Sequence, residues 1–261
     1  MTTDNNLKVL AVIPARYASS RFPGKPLALL GGKPIIDYAY SVACSVFDEV
    51  VVATDDERIC DHMEKTFGDG SVMMTSPDHQ SGTDRCGEVL RRLRRQGVDV
   101  DIVINLQGDE PFVEPSQLRS LVDCFLDPDV SIATLKTRIR STEELLSPNN
   151  VKVVCGIDGR ALYFSRQPIP FRRGVELGQW LEDTPYFKHV GIYAFRAATL
   201  EEVCNLEVGF LESCEKLEQL RWLEAGYRIA VRETSHANVG IDTPDDLVAA
   251  EKQLKMKKEK I

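Results

Sequence analysis

Several common signatures are missing from this 261-residue chain. The seven cysteines form no C-x-x-C pair and the four histidines form no H-E-x-x-H motif, so neither a disulfide framework nor a zinc site is indicated. We therefore expect reduced, buried thiols. No G-x-G-x-x-G dinucleotide fingerprint occurs, and Gly24-Lys25 is followed by Pro26 rather than by the Ser or Thr of a P-loop.

The chain also lacks an excess of basic charge and any long apolar run. It carries 32 Lys and Arg against 40 Asp and Glu, a formal net charge of -8. This balance argues against general binding to nucleic acid or to anionic membranes, so an anionic ligand would need locally clustered bases. The first apolar run, Val9 to Ile13, is too short for a signal peptide or a membrane span. We expect a cytoplasmic protein with no membrane or nucleic-acid partner.

What is present is an alternation of strand and helix patterns. Short β-branched runs such as Val50–Thr54 alternate with amphipathic stretches such as Glu57–Phe67 through the first half of the chain. This order is typical of an α/β fold with a doubly wound, mostly parallel sheet. The segment Ile102–Leu106 is apolar on both faces, as a central parallel strand should be. We expect a single domain over residues 1–261.

The second half of the chain follows a different pattern. Two strand-like runs flank Ile157-Asp158-Gly159, which predicts a hairpin. Residues 171–182 are predicted to be an irregular excursion, and segments of this kind usually form a lid or an interface. We expect a smaller mixed β subregion at 150–195. The lysine-rich tail at 252–261 is predicted to be a solvated helix end.

A basic loop follows the first predicted strand. Residues 15–26 hold Arg16, Arg21 and Lys25 next to Gly24. Open α/β sheets bind ligands at the carboxyl ends of their strands. Glycine lets the backbone approach a phosphate and the cations neutralise it, so this loop is either a phosphate cradle or a solvated basic surface.

Two acidic turns are candidates for a cation site. Asp109 follows the buried strand Ile102–Leu106, where a divalent cation could sit beside phosphates, although a simple Gly-Asp turn is an equal alternative. In the second turn, helix capping explains Thr243–Asp246. Capping does not explain Asp242, which precedes the cap and could face the site.

Three further segments have both a functional and a structural interpretation. Ser81–Arg85 opens a helix and either offers amide groups to a nucleoside or contains a simple Thr83 cap. His189 is predicted to precede the strand that bears Tyr193, and both side chains could be structural. The predicted helix Cys214–Glu224 places four side chains at i, i+3, i+4 and i+7 on one face, a polar stripe of Glu215, Glu218, Gln219 and Trp222.

Taken together, these segments resemble one family, the 3-deoxy-manno-octulosonate (Kdo) cytidylyltransferases, also called CMP-Kdo synthetases. The resemblance runs in order from about Val9 to Leu254. It is carried by eight stretches: IPARYASSRFPGKPL, VVATDDERI, HQSGTDR, NLQGDEPF, ALYFSRQPIP, HVGIYAFR, EKLEQLRWLEAG and GIDTPDDL.

The resemblance implies an activity and a set of site residues. CTP and Kdo would give CMP-Kdo, for lipopolysaccharide biosynthesis, and pyrophosphate, with Mg²⁺ as cofactor. The implied metal ligands are Asp109 and Asp242. The implied catalytic residues are Lys25, Arg16, Asp109 and Asp242. The implied CTP contacts are Pro14, Ala15, Arg16, Lys25, Ser81, Gly82, Thr83, Arg85 and Gln107. The implied sugar-acid contacts are Arg21, Gln107, Arg166, His189, Tyr193, Glu218 and Gln219.

The resemblance also implies a homodimer, with the excursion Phe164–Phe171 at its interface. Arg21 or Arg166 is a candidate partner for the sugar carboxylate, because a guanidinium binds a carboxylate with two parallel hydrogen bonds. Two alternatives stay open: a cytidylyltransferase for 8-amino-Kdo or sialate, and a non-catalytic nucleotide-sugar-binding subunit. The presence of both Asp109 and Asp242, together with the loop lysine, favours an enzyme.

Overall fold

The computed structural model describes residues 7–18, 21–236 and 240–258. Its strands, in chain order, are β1 (Val9–Ala15), β2 (Leu29–Leu30), β3 (Lys33–Pro34), β4 (Glu49–Thr54), β5 (Val72–Met74), β6 (Ile102–Asn105), β7 (Ile132–Arg138), β8 (Lys152–Cys155), β9 (Ala161–Ser165), β10 (Phe187–Arg196) and β11 (Ile229–Glu233). Its α-helices are α1 (Ile35–Cys44), α2 (Glu57–Phe67), α3 (Gly82–Arg95), α4 (Pro115–Asp123), α5 (Thr142–Leu146), α6 (Trp180–Asp183), α7 (Ala197–Val203), α8 (Phe210–Glu215), α9 (Gln219–Glu224) and α10 (Pro244–Lys258). Short 3-10 turns cover Lys25–Leu27, Cys124–Leu126 and Leu177–Gln179.

The chain divides into two compact units. Unit 1 comprises Met1–Arg119 with Asn238–Ile261, and unit 2 comprises Ser120–Ala237. Unit 2 is larger than the predicted subregion at 150–195. The assignment of the whole chain to one nucleotidyltransferase domain stays a prediction.

Unit 1 is built on a parallel sheet with the strand order β6-β1-β4-β5. Leu10 to Ile13 of β1 are fully buried, because β4 and β6 pair with the two edges of this strand and helices α1 and α3 pack against it. After β1, the chain first adds β4 and β5 on one side of this strand and then adds β6 on the other. The strand order therefore reverses at β1, and the crevice at its carboxyl end is a topological switch point. The predicted α/β class with a doubly wound, mostly parallel sheet is confirmed.

The last helix of the chain packs in unit 1 and fixes the turn before it. Ile241 and Ala250 are buried in one apolar cluster with Leu30, Ile35 and Phe112. Burying these side chains removes apolar surface from water, which holds the second acidic turn against the first half of the chain.

Unit 2 contains a mixed sheet with the order β11-β7-β10-β8-β9. β11 pairs with β7 in parallel, and the other three pairings are antiparallel. The predicted hairpin is confirmed between β8 and β9, where the Gly156 amide donates to the Arg160 carbonyl at 2.8 Å. Gly159 has φ +74°, a conformation that glycine adopts without a steric penalty.

The prediction of one helix over Cys214–Glu224 is wrong. α8 ends at Glu215, Lys216 takes the left-handed conformation with φ 54°, and α9 begins at Gln219. Because of this break, Glu215 and the residues from Gln219 onward belong to two different helices, and the predicted polar stripe along one helical face does not exist. Gln219 and Trp222 are buried rather than solvent-facing.

The predicted excursion is more ordered than its composition indicated. Residues 171–182 include a 3-10 turn and most of α6. Trp180 is buried in a cluster with Ile139, Leu145 and Tyr186, which supplies this segment with a small core of its own.

The seven cysteines are free thiols, as expected, but their burial was predicted wrongly in part. Cys86 and Cys124 are buried, whereas Cys44 and Cys214 are exposed. Cys60, Cys155 and Cys204 are partly buried. The two exposed cysteines are near helix ends, because Cys44 ends α1 and Cys214 lies in the last turn of α8.

Candidate active site

A cavity of about 360 Å³ lies in unit 1 at the carboxyl end of β1. It brings together ten of the residues singled out in the sequence: Pro14, Ala15, Arg16, Arg21, Lys25, Gly82, Arg85, Gln107, Asp109 and Asp242. Ala18, Pro26 and Gly108 complete the lining. The position matches the binding crevice expected for an open α/β sheet.

Lys25 lies between the two acidic turns. Its Nζ donates a hydrogen bond to Asp109 and another, of 3.2 Å, to Asp242 Oδ1. Burial alone would lower the pKa of Lys25, but the Asp109 and Asp242 carboxylates outweigh it and raise that pKa. The ammonium therefore stays charged and balances carboxylates that lie 84 and 217 positions away in the chain.

The second acidic turn is held in place by its own helix. Asp246 Oδ2 accepts hydrogen bonds from the Asp242 and Thr243 amides at 3.0 and 2.8 Å, and Thr243 Oγ1 accepts from the Asp246 amide. This reciprocal cap confirms the predicted start of α10. It leaves the Asp242 carboxylate directed at Lys25 and at Arg21, whose guanidinium lies 3.0 Å from Asp242 Oδ2.

A backbone contact joins the two acidic turns. The Ile241 amide donates to the Asp109 carbonyl at 3.0 Å, which places the turn after β6 directly beside the turn before α10. The convergence of Asp109 and Asp242 on one point is therefore a property of the backbone as well as of the two side chains.

The start of α3 forms another wall of the cavity. Ser81 Oγ accepts from the Asp84 amide at 3.1 Å and Asp84 Oδ2 accepts from the Ser81 amide. Ser81 is therefore the N-cap, and the alternative of a Thr83 cap is wrong. A side chain on Gly82 would place its Cβ 3.2 Å from Pro14, which explains the glycine at this close approach. Ser81 and Thr83 lie beside the cavity rather than among the residues that line it.

Arg85 is a fully buried cation at the edge of the cavity. Its guanidinium donates to Asp55 at 2.8 Å and to the Thr75 hydroxyl. Gln107 is oriented by a 3.1 Å hydrogen bond from its Nε2 to Asn105 Oδ1. Both side chains are therefore held in place by hydrogen bonds within the protein.

The remaining sugar-acid candidates belong to unit 2. His189 lies within β10 rather than before it, so the predicted order of these residues is corrected. Thr134 Oγ1 donates to the Ile192 carbonyl at 2.8 Å, so it accepts from His189 Nε2 at 2.9 Å. Burial lowers the pKa of His189 to about 3, and the ring is therefore neutral at ordinary pH.

The Tyr193 ring has three ring neighbours: His189 at 5.1 Å between ring centres, Trp222 at 4.9 Å and Phe195 at 6.0 Å. Burial, and then the charge of Glu218, raise the pKa of Tyr193 well above its usual value. Among the described residues, neither the Tyr193 hydroxyl nor the Trp222 indole nitrogen has a hydrogen-bond partner. Buried polar groups normally have one, so these two groups are candidates for hydrogen bonds to a polar ligand or a water.

Arg166 is engaged with the backbone. Its guanidinium donates to the carbonyls of Glu215 at 2.7 Å, Pro148 at 2.9 Å and Lys216 at 3.3 Å. These bonds satisfy carbonyls at the α8 break and give Arg166 a structural role. Its predicted contact with the sugar carboxylate stays a prediction, as does that of Arg21.

Two carboxylates are the candidate metal ligands. Over the described part of the chain, no group of three or more His, Cys, Asp or Glu side chains is arranged to hold a metal ion. Asp109 and Asp242 provide oxygen ligands, and their side chains are 27% and 49% exposed. Mg²⁺ is usually held by one or two carboxylates with water and substrate phosphates, so this donor set fits Mg²⁺ bound together with a phosphorylated substrate.

Comparison with known proteins identifies the family of this chain. A family model described as Cytidylyltransferase matches residues 10–229. The chain belongs to the cytidylyltransferase family. A 3-deoxy-manno-octulosonate cytidylyltransferase of Bacteroides thetaiotaomicron is 50% identical, over 95% of this chain and 99% of that relative. One from Parabacteroides distasonis is 47% identical, over 94% of this chain and 97% of its own.

Solved structures of other proteins share the fold of this cytidylyltransferase. A structure of CMP:2-keto-3-deoxy-manno-octonic acid synthetase complexed with CTP is 42% identical, with a TM-score of 0.86 over 96% of this chain and 99% of the other. A 4-diphosphocytidyl-2C-methyl-D-erythritol synthase of Anaerococcus prevotii shares the fold at 15% identity and a TM-score of 0.63. Within the described residues of this cytidylyltransferase, no helix has the length and apolarity needed to cross a bilayer.

Sequence reasoning missed several residues that support the cavity of this cytidylyltransferase. Asp55 and Thr75 hold Arg85, and Asn105 orients Gln107. Asp55 and Asn105 lie at the carboxyl ends of β4 and β6, beside the crevice. Polar residues at those strand ends were the available signal.

Proposed function

We propose that the unit 1 cavity binds CTP and that this cytidylyltransferase transfers its CMP group to Kdo, giving CMP-Kdo and pyrophosphate. One observation carries the proposal: Lys25 lies between Asp109 and Asp242 at the switch point of the sheet, beside Arg16 and Arg21. The names of relatives that match nearly the whole chain support both substrates. On a chain with net charge -8, this cluster of cations suits a triphosphate.

The reaction makes one bond and breaks one. The oxygen of the Kdo anomeric 2-hydroxyl forms a bond to the α-phosphorus of CTP, and its proton is released. The bond between the α-phosphorus and the bridging oxygen breaks, and pyrophosphate leaves with the electron pair. Negative charge grows on the pyrophosphate, so fixed cations such as Lys25 and Arg16 stabilise the transition state more than the ground state.

Asp109 and Asp242 are proposed to hold Mg²⁺ when CTP is bound. A bound divalent cation would neutralise charge at the transferred phosphate. Lys25 pairs with both carboxylates, and we infer that its ammonium turns from them to the triphosphate when CTP binds.

Five residues of unit 2 are proposed to contact the sugar acid: Arg166, His189, Tyr193, Glu218 and Gln219. Support comes from the buried hydroxyl of Tyr193, which has no partner among the described residues, and from the neutral ring of His189. Groups of this kind bind sugar hydroxyls by hydrogen bonds, and sites that do so reject analogues lacking a hydroxyl. From unit 1, Arg21 and Gln107 are the proposed contacts.

A pyrophosphate-release assay tests the proposed function. CTP, UTP, ATP and GTP are each supplied with Kdo, 8-amino-Kdo or sialate, with reactions lacking an acceptor as controls. We expect release to be fastest with CTP and Kdo. Faster release with sialate or 8-amino-Kdo would assign a different acceptor, and no release with any pair would favour the non-catalytic alternative.

We also propose a cytoplasmic homodimer. Phe171 and Leu162 are 76% and 66% exposed in unit 2, and large exposed apolar side chains are common at subunit interfaces. Light scattering after size exclusion measures the mass directly. A monomer mass at micromolar concentration would contradict the dimer.

A further inference from the structure

The segment after β4 supports the cavity without lining it. In the sequence T-D-D-E-R, which ends at Arg58, the two neighbouring aspartates have different partners. Asp55 binds Arg85 of the cavity wall, whereas Asp56 binds Arg58. Asp56 also caps α2, because its Oδ1 accepts from the Arg58 amide at 3.0 Å.

Arg58 is held in one orientation by Asp56. Its Nε donates to Asp56 Oδ1 at 2.9 Å and a terminal nitrogen donates to Oδ2 at 2.6 Å, a two-point contact that fixes the guanidinium plane. The hydrogen bond from Arg58 lowers the pKa of Asp56, so the pair is ionised at ordinary pH.

The oriented guanidinium packs on an aromatic ring of the basic loop. Arg58 Cζ lies 3.3 Å from the centre of the Tyr17 ring, a close cation–π contact. Tyr17 also contacts Gly24, whose amide donates to the Tyr17 carbonyl at 2.9 Å. A Cβ on Gly24 would lie 3.0 Å from the ring, so ring and backbone are in direct contact.

These contacts join the two ends of the basic loop. Tyr17 is the neighbour of Arg16, and Gly24 is the neighbour of Lys25. The Tyr17–Gly24 contact therefore sets the relative position of two cations that line the cavity. Arg58 is 61% exposed and lies outside the lining, so it acts on the cavity through Tyr17.

We infer that Arg58, oriented by Asp56, is a positioning residue that arranges the cations of the basic loop for the triphosphate by stacking on Tyr17. The inference rests on the proposed function, since CTP is taken as the ligand. Arg58 does not itself contact the phosphates in this role. Its contact with Tyr17 instead reduces the conformational entropy that Arg16 and Lys25 lose when CTP binds.

A double-mutant cycle tests the inference. CTP binding to the full chain is measured by calorimetry for wild type, Arg58→Gln, Tyr17→Leu and the double variant. Each single substitution should raise the Kd for CTP about two- to fivefold, the range expected for an exposed cation–π contact. The double variant should bind no worse than the weaker single variant, because both substitutions remove the same contact.

Matched controls separate positioning from charge and from folding. Arg95→Gln makes the same charge change on an exposed position of α3 and should leave Kd unchanged. Tyr17→Phe keeps the ring and should bind as wild type does. Three results would each overturn the inference. Arg58→Gln could bind CTP with the wild-type Kd, the double variant could show the product of the two single increases in Kd, or Tyr17→Phe could bind CTP more weakly than wild type. Wild type that fails to bind CTP would instead contradict the proposed function.

Discussion

At the scale of single residues, the charge balance around Lys25 is the central feature of the cavity. Its side chain is only 12% exposed, yet the ammonium is stabilised because two carboxylates face it. A buried cation with a raised pKa stays protonated and supplies a fixed positive charge where the triphosphate is proposed to bind.

Lys25→Met tests that charge. The substitution keeps much of the stem volume and removes the ammonium, so kcat should fall roughly a hundredfold, as when one transition-state donor is removed. The KM for CTP should change much less, and steady-state kinetics at saturating Kdo measure both constants. Lys33→Met is the control, since Lys33 binds Ser41 outside the cavity lining and its loss should leave both constants near wild type. A raised KM with unchanged kcat would limit Lys25 to ground-state binding.

Single residues also show what a sequence can predict about a site. Asp242 was identified because helix capping accounts for the residues after it and leaves its own carboxylate unexplained, and the structure directs that carboxylate at Lys25. A cap at Thr83 was one of two alternatives for the start of α3, and the structure instead forms a capping box from Ser81 and Asp84, which have the required i, i+3 spacing. Asp55 was missed because its partner Arg85 lies 30 positions away.

At the scale of elements, the basic loop depends on one glycine. Gly24 has φ +76°, a conformation that costs other residues roughly 1–2 kcal/mol, and a Cβ there would also press on Tyr17. Gly24→Ala should therefore destabilise the protein and raise the KM for CTP.

Gly32→Ala is the matched control for this substitution. Gly32 has φ +87°, but nothing lies within 4 Å of a Cβ built there. Urea denaturation should show a loss of unfolding free energy for both variants, larger for Gly24→Ala because its Cβ also presses on Tyr17, and only Gly24→Ala should raise the KM for CTP. An equal rise in KM for both would mean that the Tyr17 contact is not what matters.

The break between α8 and α9 shows where local patterns stop being informative. Residues 214–224 contain no glycine or proline, so their periodicity predicts one continuous helix. The break occurs at Lys216, where Arg166, the residue after β9, binds the carbonyls of Glu215 and Lys216 from about 50 positions earlier in the chain. That contact is non-local, and no local propensity reports it.

At the scale of the whole molecule, the topology of unit 1 collects residues from both ends of the chain. The alternation of strand and helix patterns was enough to predict the parallel sheet, and hence a crevice at the strand ends. It could not predict the division into two compact units, because that depends on which distant segments pack together. The return of α10 to unit 1 places Asp242 beside Lys25 and Asp109.

The most direct test of the proposed metal site compares Asp242 with Asp245, an aspartate three positions later in the chain. Asp242→Asn removes a proposed metal ligand, whereas Asp245→Asn makes the same change on the exposed first turn of α10. With Mg²⁺ and saturating CTP and Kdo, we predict that pyrophosphate release falls at least roughly a hundredfold for Asp242→Asn and stays within about twofold of wild type for Asp245→Asn. Both variants should melt near the wild-type temperature. Near-wild-type release by folded Asp242→Asn would contradict the assignment of this cavity as the chemical centre.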